Sequence, residues 1–219
     1  INEQTMGMKN LLVIISVIFM TASCGNSPQD STVETAEEQI SSAEWESSYD
    51  RIKPNELPDN VFQLIGQEWM LVTAGNKESF NTMTASWGGL SYVWERPAAI
   101  TYIRDIRYTY QFLQREESFT LSFFTEEYRG ALRICGTKSG RDTDKVKEAG
   151  LTAIETPSGL MSFGEARMII ECKKMLVQEL DTENFTDPYK NKIIEESYGD
   201  SPSKHQLYIS EITNIWIKK

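Results

Sequence analysis

Asn81-Thr82-Met83-Thr84-Ala85-Ser86-Trp87-Gly88-Gly89 (NTMTASWGG) places a small hydroxyl residue at every second position and ends in a large aromatic and two glycines. On a β-strand alternate side chains share a face, so Thr82, Thr84 and Ser86 would form one row. Phe80–Ser86 reads as a strand, and Glu68–Gly75 (EWMLVTAG) reads as its neighbour across the polar turn Gly75-Asn76-Lys77-Glu78. Four further strands are expected. They are Ala98–Arg104 after Pro97, Ser118–Phe124, Glu165–Gln178 and His205–Lys218. Helices fit between them at Thr109–Arg115, Glu126–Ile134, Thr143–Ala149 behind Asp142 as a cap, and Pro188–Ser197. Strands with interspersed short helices and no βαβ regularity point away from a doubly wound sheet. The pattern predicts a mainly β fold, a small barrel with helical excursions.

Outward from this region, the N-terminal part has a different character. Met8-Lys9-Asn10 gives a short positive start, and Leu11–Met20 is almost unbroken apolar sequence. Ten residues of helix span roughly 15 Å, half a bilayer core, so the run reads as a signal-peptide h-region rather than a spanning helix. Thr21-Ala22-Ser23-Cys24 follows and resembles a bacterial lipobox, in which Cys24 is the lipidated residue; a plain cleaved secretory signal is the alternative. The expected arrangement is a signal peptide over 1–23, with residues 1–7 upstream of a start at Met6 or Met8. A lipidated Cys24 and flexible acidic tether cover 24–54, and one domain covers 55–219. Such a chain would be exported and held on a membrane through its lipid, facing the periplasm or the cell exterior.

Charge supports this division. The formal net charge is −10, yet Gly25–Asp50 holds seven acids and no Lys or Arg, leaving 24 acids against 21 bases from Arg51 onward. A segment so polar cannot bury enough surface to offset its ordering entropy, which is why it reads as a tether; Trp45 and Tyr49 are its two candidates for docking. No basic face suggests nucleic acid. The one positive stretch, Arg96–Lys147, has ten bases against seven acids.

Three segments carry candidate chemistry. The hydroxyl row from Asn81 to Trp87 suits a flat ring, because small side chains permit close approach and hydroxyls can meet ring carbonyls and nitrogens; a solvated edge strand would have the same composition. Arg107-Tyr108-Thr109 enters a helix, where Arg107 can fork onto a phosphate and the first-turn amides are free. Arg104 and Asp105 read as a local ion pair, and Phe123 or Phe124 would line the ring. Cys135-Gly136-Thr137-Lys138-Ser139-Gly140-Arg141-Asp142 gathers bases, hydroxyls and glycines in one turn, as a phosphate cradle requires, without Walker A spacing. Beside such a site the Cys135 thiol could be activated by its basic neighbours or silenced by burial. Cys135 and Cys172 read as two separate thiols, with a disulfide as the alternative.

Taken in order, NTMTASWGG (Asn81–Gly89), TYIRDIRYTYQFL (Thr101–Leu113), FTLSFF (Phe119–Phe124) and ALRICGTKSGRDTDK (Ala131–Lys145) closely resemble the flavin reductase-like family of FMN-binding split β-barrels, its flavoredoxin-like branch in particular. The resemblance runs from about Val61 to Ile217. It implies a Greek-key split barrel with peripheral α-helices, and a homodimer with FMN near the subunit boundary. The FMN ring would lie by Thr84, Ala85, Ser86 and Trp87, and its phosphate near Arg107, Thr109, Lys138, Ser139 and Gly140. Asn81, Thr82, Tyr108, Phe123, Cys135 and Arg141 complete the expected cofactor contacts. Relatives that use a nicotinamide often carry a His and a Gly-acid pair near the last strand. Here His205 and the Glu211 of Ser210-Glu211 are the candidates for shaping the electron-donor site. The activity implied is an FMN-dependent oxidoreductase of the NAD(P)H:flavin reductase type. The alternatives are an FMN-binding electron carrier without NAD(P)H activity and a barrel that binds ligand without turnover.

Overall fold

The computed structural model describes residues 42–219; the apolar run Leu11–Met20 and Cys24 lie outside the described residues. Among the described residues ten strands and six α-helices follow one another. They are α1 (Ser42–Ser48), β1 (Tyr49–Ile52), α2 (Val61–Gln63, continued by a π turn over Leu64–Glu68), β2 (Met70–Asn76), β3 (Ser79–Ala85), β4 (Gly88–Val93), β5 (Arg96–Arg104), α3 (Tyr108–Arg115), β6 (Ser118–Phe123), α4 (Arg129–Thr137), α5 (Lys145–Glu148), β7 (Ala153–Glu155), β8 (Met161–Phe163), β9 (Met168–Glu179), α6 (Lys190–Ser197) and β10 (His205–Lys218). Among the described residues no helix is long and apolar enough to cross a membrane.

The main sheet is antiparallel throughout and runs β3-β2-β6-β9-β10-β5-β4. Jumps from β2 to β6 and from β10 to β5 give the crossed connectivity of a split barrel. Period-2 alternation buries both faces. On β9, Met168, Ile170 and Cys172 enter a core with Val72, Phe119, Leu121, Ile103 and Tyr208. Ile169 turns to a second core with Leu71, Phe124, Leu132, Cys135 and Phe163. Helix α3 seals the first core with Phe112 and Leu113, and α4 seals the second with Ala131, Leu132 and Cys135.

Several elements differ from the sequence-based expectation. Residues 42–52, grouped with the tether by composition, are folded. β1 pairs with the end of β10 from Tyr49↔Lys218 to Ile52↔Ile215. Trp45 stacks on Tyr49 at 4.6 Å and meets Trp216 edge-on at 5.4 Å, so two aromatics outweigh the polar residues around them. Gly88-Gly89 does not end the β3 segment but opens β4, where a Cβ at Gly88 would lie 2.5 Å from Ile100 O of β5. The helix after the basic turn starts later than expected: Asp144, not Asp142, caps α5, accepting from Lys147 N at 3.1 Å. Cys135 and Cys172 are free and sit in different cores, so no disulfide joins them.

Candidate functional site

Strand β3, the N-terminus of α3 and the turn after α4 come together because α3 and α4 both pack on β3. Thr84 Oγ1 donates to Leu132 O of α4, and Asn81 Nδ2 donates to Thr109 Oγ1 of α3 at 2.7 Å. Gly140 is needed for the same closure, since a Cβ there would lie 2.1 Å from Asn81 Oδ1. A cleft in two contiguous parts results, with Met83, Ile106 and Arg107 shared between them.

The larger part, about 310 Å³, runs past Thr84, Ala85, Ser86 and Trp87 to Tyr102, Arg104 and His205. Trp87 is 48% exposed, and its ring centroid lies 4.9 Å from that of His205. His205 is buried, and its Nδ1 is 2.9 Å from Tyr198 Oη. Burial and the charges of Arg104 and Arg107 push its pKa down to about 4, so the imidazole is neutral near pH 7. Arg104 does not pair with Asp105. Its Nε donates to Ser203 Oγ at 3.2 Å and its Nη2 to Ser201 Oγ at 3.3 Å, while Asp105 Oδ2 accepts from Lys204 N.

The smaller part, about 150 Å³, is bounded by Tyr108, Thr109, Thr137, Ser139 and four bases, Arg107, Lys138, Arg141 and Lys145. No acid lines it. Arg107 Nη2 donates to Gly136 O at 2.8 Å, and Arg141 donates to Ile106 O while lying 4.8 Å over the Tyr108 ring. Lys138 pairs with Glu148 at the rim. Lys145 is only 5% exposed, and its Nζ meets the carbonyls of Cys135 (3.2 Å) and Lys138 (3.4 Å). Burial pulls its pKa down to about 8.

Of the residues expected to contact a ligand, Thr84, Ala85, Ser86, Trp87, Arg107, Tyr108, Thr109, Lys138, Ser139 and Arg141 line one part or the other. Apart from His205, which lines the larger part, the other expected residues line neither. Thr82 is fully buried and bonds Thr73 Oγ1 at 2.8 Å across the β2–β3 ladder, because only the end of the hydroxyl row reaches past the helices. Asn81 holds Thr109 from behind and does not line the cleft. Phe123 is fully buried in the first core and Phe124 packs on Tyr128 and Phe163, so neither lines the cleft. Cys135 points into the second core, and burial pushes its thiol up to about 11, which silences it as a nucleophile. Glu211, six residues along β10 from His205 and so roughly 20 Å away, forms an ion pair with Arg96 at 3.0 Å. Sequence reasoning missed Lys145, Met83, Tyr102, Arg104, Ile106 and Thr137 as lining residues. Lys145 lay inside the quoted ALRICGTKSGRDTDK run, but a Lys one residue after an N-cap looks like a solvated one. Only the fold shows that it turns inward.

A split barrel whose cleft runs into a basic recess lined by no acid defines the class of protein to which this fold and site belong. The chain belongs to the flavin reductase like domain family, whose model matches residues 62–219. Solved structures share the fold at low identity. The FMN-binding domain of a flavin reductase-like enzyme from Shewanella baltica OS155 has 16% identity and a TM-score of 0.56, covering 77% of this chain and 76% of that one. Flavoredoxin of Desulfovibrio vulgaris (Miyazaki F) has 21% identity and a TM-score of 0.53, covering 76% of each chain. Nitrilotriacetate monooxygenase component B from Bacillus cereus has 19% identity and a TM-score of 0.52, covering 75% of this chain and 79% of that one. No curated protein matches.

Proposed function

We propose that this chain is an FMN-binding oxidoreductase. The observation that carries the reading is the acid-free recess of four bases, with the buried Lys145 ammonium facing only carbonyl oxygens. A buried cation without a counter-charge is costly unless an anion completes it. A phosphate monoester supplies that anion, and Arg107, Ser139, Lys138, Arg141 and Lys145 would hold it. Thr84, Ser86 and the Trp87 indole would hold the attached ring. FMN, when bound, supplies the ability to accept a hydride or single electrons; the protein fixes its position and electronics. Near pH 7 His205 is neutral, with Tyr198 Oη at its Nδ1, so it offers the slot no imidazolium.

Two electron sources fit this reading. A reductase would take hydride from NAD(P)H and pass electrons to a free flavin, a metal complex or a protein. An electron carrier would draw on a partner protein. The second gains support from Glu211, which is tied to Arg96 and does not join His205 in a donor site. It also suits an exported lipoprotein, the arrangement inferred from Leu11–Met20 and Cys24, where a nicotinamide pool is not expected. The functional unit is proposed to be a homodimer, with the membrane contacted only through the lipid.

The test is to purify the protein and record its flavin spectrum, then mix it without oxygen with NADH and with NADPH. A yellow protein whose flavin is bleached by either nucleotide supports the reductase, and one bleached by neither is a carrier. A colourless protein that takes up no FMN sinks both.

A further inference from the structure

The cleft carries more positive charge than one phosphate needs, and the excess lies at its other end. Arg107, Lys138, Arg141 and Lys145 surround the small recess, whereas Arg104 lines the ring slot beside His205, with which it is paired across β5 and β10. No carboxylate of the described residues forms an ion pair with Arg104. Asp105, the nearest acid in sequence, accepts from the Lys204 amide at Oδ2. Against burial, hydrogen bonds from Ser203 and the Lys204 and Ile106 amides, with the Arg104 charge, hold its carboxyl below the usual range; it tempers the guanidinium's field without taking its N–H donors. Arg104 is nonetheless fixed. Ser203 and Ser201 take its Nε and Nη2, and its guanidinium lies 5.7 Å over the Tyr198 ring. All three holding residues belong to the segment between α6 and β10, so this segment serves to aim the guanidinium. A guanidinium has five N–H donors, and these bonds use two of them.

Building on the FMN reading, we propose that the ring end of the cleft, around Arg104, His205 and Trp87, receives a small carboxylate-bearing co-substrate whose carboxylate is read by Arg104. A carboxylate fits better than a second phosphate: one pre-oriented guanidinium forks onto a monoanion, while dianions are drawn to the four-base recess. His205, facing the same slot, adds a neutral hydrogen-bonding ring and no competing charge. Arg104 and Arg107 together make the local field positive, as their joint depression of His205 reflects; Asp105 alone opposes it. Trp87, half exposed at the slot, offers an apolar face to the body of the molecule.

The test compares 4-hydroxybenzoate with its neutral isostere 4-hydroxybenzamide, by calorimetry on FMN-loaded protein and again on FMN-free protein. The carboxylate is expected to bind about ten-fold tighter than the amide, a difference that shrinks with added salt. R104Q should bind both equally, and R104K should keep part of the preference; thermal melting of each variant reports whether it is folded. Equal affinities in the parent protein, or an undiminished preference in folded R104Q, overturn the proposal. So does an R104Q change in flavin reduction potential with carboxylate preference intact, which would assign the guanidinium to the ring itself. Failure to take up FMN counts against the oxidoreductase reading alone, because the preference is still measured in the FMN-free protein.

Discussion

Lys145 and His205 show how single positions in this cleft are set by burial against charge. The Lys145 ammonium is held by two carbonyls inside a recess with three other bases, so it is the group most dependent on an incoming anion. Lys145→Met should weaken FMN binding by about ten-fold or more and leave riboflavin, which lacks the phosphate, unaffected. Equal losses for both ligands would show that Lys145 only supports the turn. The pH dependence follows from the sign of the shift. The folded pKa, about 8, lies below the ordinary lysine value, so the unfolded chain binds more protons between the two. The ligand-free protein should therefore gain stability as pH rises from about 8 towards the unfolded value, and Lys145→Met should abolish that slope in urea titrations. FMN affinity should fall over the same rise, as the ammonium is lost. For His205 the folded pKa of about 4 is also depressed, so its contribution is complete above the unfolded value near 6.5 and declines as pH falls towards 4. His205→Gln should flatten that acidic decline in the melting temperature.

At the scale of elements, the strongest test lies in the β4–β5 hairpin, joined by Trp94 and Glu95 between the paired Val93 and Arg96. Both have positive φ, 50° and 60°, as a type I′ turn requires, yet neither is Asn or Gly. Each left-handed L-residue costs about 1–2 kcal/mol, so Trp94→Asn with Glu95→Gly should raise the stability of the monomeric fold by about that much in denaturant titrations. The missing turn signal is also why β4 was not legible in the sequence. The periodic segments β2, β3, β5, β6, β9 and β10 were readable because alternation survives without tertiary context. Within the site, the basic turn and the Arg107–Thr109 helix start were readable from residue type. The inward aim of Lys145, the burial of Thr82 against Thr73 and the burial of Phe123 depend on what covers each face, and a local pattern does not carry that. The same holds for α1 and β1. β5 leaves β10 after Glu211, and β1 takes up pairing at Ile215, so residues 49–52 close the remaining edge of the longest strand. Trp45, 2% exposed, anchors this closure, and Trp45→Ala should cost about 3–5 kcal/mol, read as a lowered melting temperature.

For the whole molecule, the exposed aromatic surface offers a place for the second copy of the proposed homodimer. β4 is a terminal strand of the sheet, paired only with β5, and it begins directly after Trp87 of the cleft. Tyr92 and Trp94 at its end are largely exposed, as is Phe62 on α2, which packs beside β4. Large exposed aromatics on an unpaired edge are an association hazard unless something covers them. The proposed homodimer therefore should form across β4, bringing the partner towards the Trp87 side of the ring slot. Sedimentation velocity at micromolar concentration should give a dimer. Tyr92→Lys with Trp94→Lys should convert it to a folded monomer and weaken FMN binding, while the basic recess stays intact. A parent protein that sediments as a monomer would remove the dimer. A double variant that remains dimeric would move the interface elsewhere, and a monomeric variant with unchanged FMN affinity would show that each cleft is complete within one chain.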